Sequence, residues 1–369
     1  CDDAANNLPD SYVNEPGAEI GRVTKGFAMA VKSKALLYAA SKLHNPSMDT
    51  ELWKKSAKAA IDIINTGLYS LEESANNLDS KEVVLMRING DDSDFEMFNL
   101  PLRMTAGTRT SSLIPYSNYP SQNLVDAFET VNGYKVTLEN TGWVCEDPAF
   151  DPQSPYENRD KRFYRAILAN GMSFKDYTIE TFKGGADDGI VSQGGSPTGY
   201  FLRKYIQEAT SFEPGKEAVS KHHWVIYRYA ETLLTYAESM VNAFNDVNYT
   251  DETYKYSALW AINEVRKNAD MPLIPSMGKE DFLERLYNEW RVEFAFEDHR
   301  FWDVRRWKIA DTTQRELYGV KIEKQADGTF NFYKNLYETR NWRDCMYLYP
   351  IPQSELYKNT NLNPQNTGW

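Results

Sequence analysis

Apolar residues recur at helical spacing in two separate parts of the chain, and each part predicts a pair of antiparallel helices. The first predicted helix covers residues 21–43, and its apolar positions lie three or four residues apart at Phe27, Val31, Ala35 and Tyr38. Residues 50–66 repeat the pattern, with Trp53 on the apolar face, and Gly67 is a natural helix end. These two segments therefore predict one helical hairpin.

A second predicted hairpin begins near Trp224. The apolar positions of its first helix again step by three and four, at Tyr227, Ala230, Leu234, Ala237, Val241 and Phe244. The turn is "NDVNYTD", and a further helix over residues 252–267 ends at "DMP". Two helical hairpins of similar size suggest a scaffold of tetratricopeptide-like repeats over residues 1–87 and 216–310.

A fifth predicted helix starts near Lys279 and contains the stretch "FAFEDHRFWDVRRW". Its buried stripe passes through Leu283, Leu286, Trp290, Phe294, Glu297, Phe301 and Val304. A carboxylate in an apolar stripe is costly unless it is paired, so we expect Glu297 to be structural and to contact an arginine. The nearby candidates are Arg291, Arg300, Arg305 and Arg306. The alternative is that the acids and His299 of this stretch form a catalytic acid–base site.

Residues 88–215 differ from the predicted helices in composition. They contain 12 of the 20 Gly and 8 of the 16 Pro, which predicts loops, turns and short strands. Long irregular connections in a compact protein are usually functional, so we expect this insertion to carry the ligand face.

Residues 311–369 predict a β-hairpin followed by a tail that wraps over the body. The hairpin places Val320 and Ile322 on one strand and Phe330 and Phe332 on the other, with Asp327-Gly328 at the turn. The predicted fold class is therefore mainly α, with tetratricopeptide-like helical hairpins, a large loop-rich insertion and a small C-terminal β-hairpin.

Net charge and hydropathy exclude two classes of protein. The formal charge of −12 argues against a nucleic-acid-binding protein and against docking on an anionic bilayer through a basic patch. Apolar runs are too short for a membrane span, since the longest candidate is interrupted by Arg228, Glu231 and Glu238.

Metal and cofactor motifs are weak. The three Cys lack zinc spacing, the four His form no i, i+4 pair, and the glycine runs lack nucleotide-binding spacing. The acidic loop "GDDSDFE" at residues 90–96 could hold Ca²⁺, but solvated charge is the favoured interpretation because the calcium-loop spacing is missing. We therefore expect no metal site and no cofactor.

Aromatic residues reach 14% of the chain, and the loop-rich insertion offers a candidate ligand face made of Arg109, Tyr116, Asn118, Tyr119 and Trp143. Sugars stack on Tyr and Trp rings, while Asn and Arg side chains bond their hydroxyl groups. Trp143 is the only Trp of the insertion and lies outside every helical stripe, so we expect its ring to be exposed. The alternative is that these rings cover the scaffold.

Several stretches, in order along the chain, resemble the SusD/RagB family of surface glycan-binding lipoproteins of Bacteroidetes. They include "GRVTKGFAMAVKSKALLYAASKLHNP", "YPSQNLVDAFE", "ENRDKRFYRAILANG", "YRYAETLLTYAESMVNAFND", "EWRVEFAFEDHRFWDVRRW" and "YLYPIPQSEL". The resemblance implies a non-catalytic protein on the outer membrane that binds oligosaccharide and delivers it to a SusC-like TonB-dependent transporter. It also implies that "CDDAANNLPDSY" is a mid-chain segment. Cys1 is then expected to be an interior residue of a longer, lipid-anchored parent chain.

Two other functions stay open from the residues alone. A glycoside hydrolase acting on the same glycans needs two carboxylates flanking the sugar, and 53 acidic residues always provide pairs. A tetratricopeptide-type adaptor would instead bind a peptide or protein in a helical groove.

Overall fold

The computed structural model describes residues 1–12, 21–73, 77–105, 117–189 and 194–369. Its helices are α1 (Asp2–Asn7), α2 (Lys25–Ala40), α3 (Thr50–Ile64), α4 (Asp94–Asn99), α5 (Gln122–Val125), α6 (Lys161–Ala166), α7 (Tyr229–Phe244), α8 (Ala258–Asn268), α9 (Lys279–Glu293), α10 (His299–Arg306), α11 (Ala310–Thr313) and α12 (Gln353–Lys358). More of the described residues lie in helices than in strands, so the fold is mainly α. Within these residues, no helix is long and apolar enough to cross a bilayer.

The strands form antiparallel pairs rather than one large sheet. The pairs are β1 (Val83–Asp92) with β8 (Ser220–Arg228), β2 (Val136–Glu139) with β3 (Gly142–Cys145), β4 (Ile167–Leu168) with β7 (Phe201–Leu202), β5 (Ser173–Phe174) with β6 (Tyr177–Thr178), and β9 (Glu316–Lys324) with β10 (Phe330–Thr339). A two-stranded ribbon cannot stabilise itself, so each pair depends on packing against the helices or the loops.

The largest apolar core lies between two helical hairpins. Helix α3 packs on α2 and on α7, and α7 packs in turn on α8. Trp53, Leu234 and Trp290 are fully buried in this core, and α9 completes it by packing against α7. Small residues such as Ala237 allow the helix axes to approach closely. This layered arrangement leaves the rest of the chain, residues 83–228 above all, to form the loop-rich part.

The predicted stripe of α2 is only partly covered, which corrects the sequence interpretation. Val31 is 42% exposed, whereas Ala30, Leu37 and Ala40 are buried against α3, Leu37 and Ala40 in one cluster with Trp53 and Ala30 in another with Ile63. Both faces of this helix are apolar, so spacing alone could not identify the inner one. The face with the smaller side chains contacts α3, because small side chains let the two helix axes approach closely.

The segment around Trp224 is a strand, not the start of a helix. Its hydrogen-bonded partner is β1, with Trp224 opposite Arg87 and His223 opposite Ile88. Helix α7 begins only at Tyr229. The run "HHWVIY" is rich in β-branched and aromatic residues, and pairing with β1 outweighs the helical spacing of its apolar positions.

The stretch "FAFEDHRFWDVRRW" is interrupted rather than continuously helical. Helix α9 ends at Glu293, and Phe296 and Asp298 both have φ of 62° before α10 begins at His299. This left-handed step rotates the second helix relative to the first. Phe301 is consequently 41% exposed, although the continuous stripe predicted it to be buried.

The C-terminal β-hairpin is held against the loop-rich part by a close backbone contact. The Val320 amide donates to the carbonyl oxygen of Thr198 at 2.9 Å, and Phe332 lies opposite Ile322 across the hairpin. A Cβ added to Gly319 would lie 2.6 Å from the Thr198 backbone, so only glycine fits this crossing. The tail then continues through the short helix α12.

Candidate ligand-binding site

A pocket lined mainly by rings opens where β1, α4 and β8 meet. We call it the aromatic pocket; its volume is about 250 Å³, and its walls are Asn89, Asp92, Asp94, Phe95, Phe98, Tyr205, His222, His223 and Trp224. Most of these residues belong to the loop-rich insertion, and the two histidines and Trp224 come from β8. Rings together with amide, imidazole and carboxylate groups are the mixture expected of a site for a polar, ring-shaped ligand.

The ring arrangement in the pocket centres on Tyr205 and Trp224. Their centroids lie 5.1 Å apart with 39° between the planes, and both side chains are only partly buried. Phe95 meets Tyr205 edge-on at 6.4 Å and lies 6.0 Å from the His222 ring. Such contacts hold flat surfaces in place, which limits the entropy that a stacking ligand would have to remove.

Glu96 fixes the walls of the pocket relative to one another. Its side chain is fully buried and accepts hydrogen bonds from the Gln207 amide at 2.7 Å and from His222 Nε2 at 2.9 Å. One carboxylate on α4 therefore ties the loop that carries Tyr205 to strand β8. The start of α4 is set by Asp92, whose Oδ1 accepts from the Asp94 amide at 3.1 Å.

The polar groups of the pocket differ in charge and in exposure to solvent. Burial, together with Lys221 and His222, lowers the pKa of His223, so its imidazole is neutral at pH 7. The Nδ1 atom of His223 is buried without a hydrogen-bond partner. Asp92 is 45% exposed along its side chain, so its second oxygen can accept hydrogen bonds from a ligand. These groups can both donate to and accept from hydroxyls.

The structure describes three of the five ligand residues that the sequence predicted. Arg109 and Tyr116 lie outside the described residues. Asn118 is exposed, and its backbone amide and Nδ2 donate to Asn99 Oδ1 at 2.9 and 3.2 Å. Since Asn99 ends α4, Asn118 lies beside the helix that supplies Phe95 and Phe98 to the aromatic pocket.

Tyr119 and Trp143 do not lie on one face. Tyr119 is partly buried against Phe201, 6.2 Å away, whereas Trp143 belongs to a different apolar cluster. The expectation of an exposed Trp143 is wrong, because it is only 8% exposed and packs edge-on against Tyr156 and Phe332 at 5.8 and 6.0 Å. Strand β3 turns its ring inward opposite Leu138, so the absence of a helical stripe was no sign of exposure.

Trp224 and Tyr205 are the residues that sequence reasoning missed. Trp224 was predicted to lie at the start of a helix, but β8 places it at the pocket instead. The available signal was the "HHWVIY" run, since a strand puts alternate side chains on opposite faces. Tyr205 carries no comparable signal, because it lies in a loop with φ of 68°.

Glu297 is buried and paired with an arginine, as predicted, but the arginine is not a neighbour in sequence. Arg228 at the end of β8 donates from Nε and Nη2 to Glu297 at 2.9 and 3.0 Å, and Lys204 Nζ lies 2.5 Å from the same carboxylate. Burial alone would raise the pKa of Glu297, but the charges of Arg228 and Lys204 lower it to about 2.

Further ion pairs continue this network along α9. Arg228 Nη1 also contacts Glu82 and Glu293 at 2.7 and 2.6 Å, and Arg162 contacts Glu293 and Glu289 at 2.7 and 2.6 Å. All of these groups except Glu289 line a charged cleft of about 360 Å³. Each of these carboxylates is held by a guanidinium, which favours a structural role over general acid–base work.

Among the described residues, no group of three or more His, Cys, Asp and Glu side chains is placed so that it could hold a metal ion. In the acidic loop at residues 90–96, Glu96 contacts His222, and Asp92 Oδ1 accepts a hydrogen bond from the Asp94 backbone amide. These contacts give Glu96 and one oxygen of Asp92 structural roles.

Comparison with known proteins gives consistent matches. The model of the SusD family matches residues 81–369. SusD-like protein P2 of Formosa agariphila is 31% identical over 262 residues, which is 67% of this chain and 45% of that protein. The matched part thus spans less than half of that relative's length.

Solved structures extend the likeness over the whole chain. A SusD-like protein from Bacteroides fragilis superposes with a TM-score of 0.76 at 28% identity, covering 100% of this chain and 69% of that one. Another protein from the same organism, described as a SusD-like carbohydrate-binding protein, has a TM-score of 0.68 at 24% identity, with 97% and 68% covered. Because the family model matches well over half of its residues, this chain belongs to the SusD family.

Proposed function

We propose that this chain binds oligosaccharide without cleaving it, and that the aromatic pocket holds one sugar unit. The Tyr205–Trp224 ring pair carries the proposal, because it is a partly exposed aromatic surface flanked by Asp92, Asp94 and His223. Sugar C–H faces stack on such rings, and the flanking groups can bond the hydroxyls. The description of one structural relative as a carbohydrate-binding protein supports the same function.

The size of the pocket limits what it can hold. About 250 Å³ is below the roughly 300–1,000 Å³ of pockets that enclose drug-sized ligands. A longer glycan would therefore place one unit against the rings and extend over the neighbouring surface. Contacts of about 0.5–1.5 kcal/mol per aromatic pair make the affinity micromolar or weaker.

Residues from the predicted ligand face would extend this surface. We keep Arg109, Tyr116, Asn118 and Tyr119 as candidates for contacts with further sugar units. The support is the Asn118–Asn99 contact, which puts Asn118 next to α4. Trp143 is not included, because its ring is packed in the core.

Delivery of the glycan to a SusC-like TonB-dependent transporter at the outer membrane is part of the proposal. Membership of the SusD family supports this delivery. In the proposal, the lipid anchor of the parent chain attaches the protein to the cell surface. The hairpins α2–α3 and α7–α8 would act as a tetratricopeptide-like scaffold that presents the loops.

A glycoside hydrolase is the second candidate function, and one observation favours it. Burial raises the pKa of Glu82, whereas Arg228 and Arg162, acting against burial, lower the pKa of Glu293 to about 2. Two carboxylates with pKa values pushed apart resemble an acid and base pair. Both contact Arg228 Nη1, however, so a substrate would have to displace an ion pair to reach them.

Affinity electrophoresis followed by product analysis separates the two functions. The purified protein is run through gels containing single polysaccharides, and the glycan that retards it is then incubated with the protein. The proposal predicts retardation and no new reducing ends. Release of shorter sugars that is lost in Glu82→Gln would replace binding with hydrolysis as the function.

A further inference from the structure

A further pocket, lined by residues of α9 and α10 and by Lys135 and Ile309, is rich in cations. Its volume is about 240 Å³, and its walls are Lys135, Glu284, Arg285, Tyr287, Asn288, Arg291, Arg300 and Ile309. Lys135 Nζ contacts Glu284 at 2.6 Å, and Arg285 contacts Glu129. Two of its four cations are thus neutralised by carboxylates of the chain itself.

The other two cations, Arg291 and Arg300, have no carboxylate partner among the residues that the structure describes. Arg300 Nε is buried without any hydrogen-bond acceptor. Burial lowers the pKa of Arg291 to about 9, and the charge of Arg300 adds to that effect. Burial likewise lowers the pKa of Arg300, with Asp303 opposing the shift. Both groups keep their charge at neutral pH, so two like charges share one pocket.

Buried guanidinium groups elsewhere in the described chain are compensated. Arg162, Arg228, Arg266 and Arg306 each contact at least one buried carboxylate. Arg159 has no carboxylate but donates to the carbonyl oxygens of Pro155, Val125 and Phe128. Arg291 and Arg300, which are half-buried, lack such a carboxylate among the described residues. A charge that is partly withdrawn from water without a partner is destabilising, so an outside anion would relieve the cost.

We propose that the pocket between α9 and α10 binds an oxoanion group, a carboxylate or a sulfate, between Arg291 and Arg300. A guanidinium fork matches the two oxygens of such a group, and Asn288 on the wall adds a polar side chain. The same chemistry is present in an acidic sugar and in an Asp or Glu side chain of a polypeptide segment. The site lies on different elements from the aromatic pocket and does not depend on the proposed glycan binding.

Thermal unfolding in the presence of anions tests the proposal. Melting temperature is measured while sodium sulfate, glucuronate or N-acetylaspartate replaces sodium chloride at constant ionic strength, with glucose as the neutral control. We expect a saturable rise for wild type, as a ligand that binds only the folded state must produce. Arg291→Gln and Arg300→Gln should lose the saturable part. Arg340→Gln, which removes an exposed guanidinium just after β10, should keep it.

The change in melting temperature that Arg291→Gln causes without a binding anion distinguishes an anion site from a structural role of the arginine. In chloride alone, Arg291→Gln should melt at or above the wild-type temperature, because it removes a half-buried charge that has no carboxylate contact among the described residues and is repelled by Arg300. A preference for glucuronate over N-acetylaspartate would identify an acidic sugar as the ligand, and equal responses would identify any carboxylate, including one on a polypeptide. An equal, non-saturating response of wild type and both arginine variants to every anion would overturn the proposal.

Discussion

At the scale of single residues, Glu297 illustrates how one buried charge organises its surroundings. Its carboxylate is shared by Arg228 and Lys204. Glu297→Ala would leave Lys204 without its carboxylate partner, while Arg228 keeps Glu82 and Glu293. Removing one partner of a buried pair typically costs about 3–5 kcal/mol, and the remaining contacts of Arg228 favour the lower end. Urea unfolding should show this loss, and unchanged stability would restore a catalytic interpretation of the stretch.

The same carboxylates predict a defined acid sensitivity. Glu293 and Glu297 have pKa values of about 2 in the folded protein against an ordinary value of 4.5. A lowered folded-state pKa stabilises the protein above the unfolded pKa, and this contribution is lost as the pH falls from 4.5 towards 2. In Glu297→Gln, stability should fall less steeply across that window. Equal slopes for the variant and the wild type, from urea midpoints at each pH, would contradict the assignment.

At the scale of elements, the crossing of β9 over the loop at Thr198 depends on a missing side chain. Gly319→Ala would force a methyl group against the Thr198 backbone. Overpacking of this kind costs about 1–3 kcal/mol, so the melting temperature should fall. Gly90→Ala is the matched control, since nothing lies within 4 Å of its added Cβ. Similar melting temperatures for the two variants would show that the hairpin is not anchored there.

Helix pairs could be predicted from spacing because α3, α7 and α8 repeat apolar positions over several turns. The break between α9 and α10 could not, since "FAFEDH" contains no Gly or Pro to signal the left-handed residues Phe296 and Asp298. The positions of the Trp143 and Trp224 rings were mispredicted for a related reason. Trp143 and Trp224 both lie in strands, where helical spacing says nothing about which face a ring takes. Trp224 pairs with Arg87, which is distant in sequence, whereas Trp143 lies opposite Leu138 in a local hairpin.

At the scale of the whole molecule, a buried helical scaffold presents a loop-rich part with a ring-lined pocket at its edge. Contacts that span many residues build the site, since Glu96 joins β8 and the loop at Gln207 across more than a hundred positions. The composition of residues 88–215 predicted that this insertion carries the ligand face, which stays a prediction, but composition could not assemble the pocket. That assembly depends on pairings between β1 and β8 that no local pattern reveals.

Isothermal titration of three proteins with the glycan that retards the wild type tests the central claim most directly. Trp224→Ala should weaken binding about tenfold, the effect of roughly 1.4 kcal/mol, because it removes one wall of the pocket. Trp260→Ala removes a partly buried ring that stacks on Tyr256 at 4.0 Å, away from the site, and should leave the affinity unchanged. Equal affinities for the wild type and Trp224→Ala, with both variants folded, would contradict binding at the aromatic pocket.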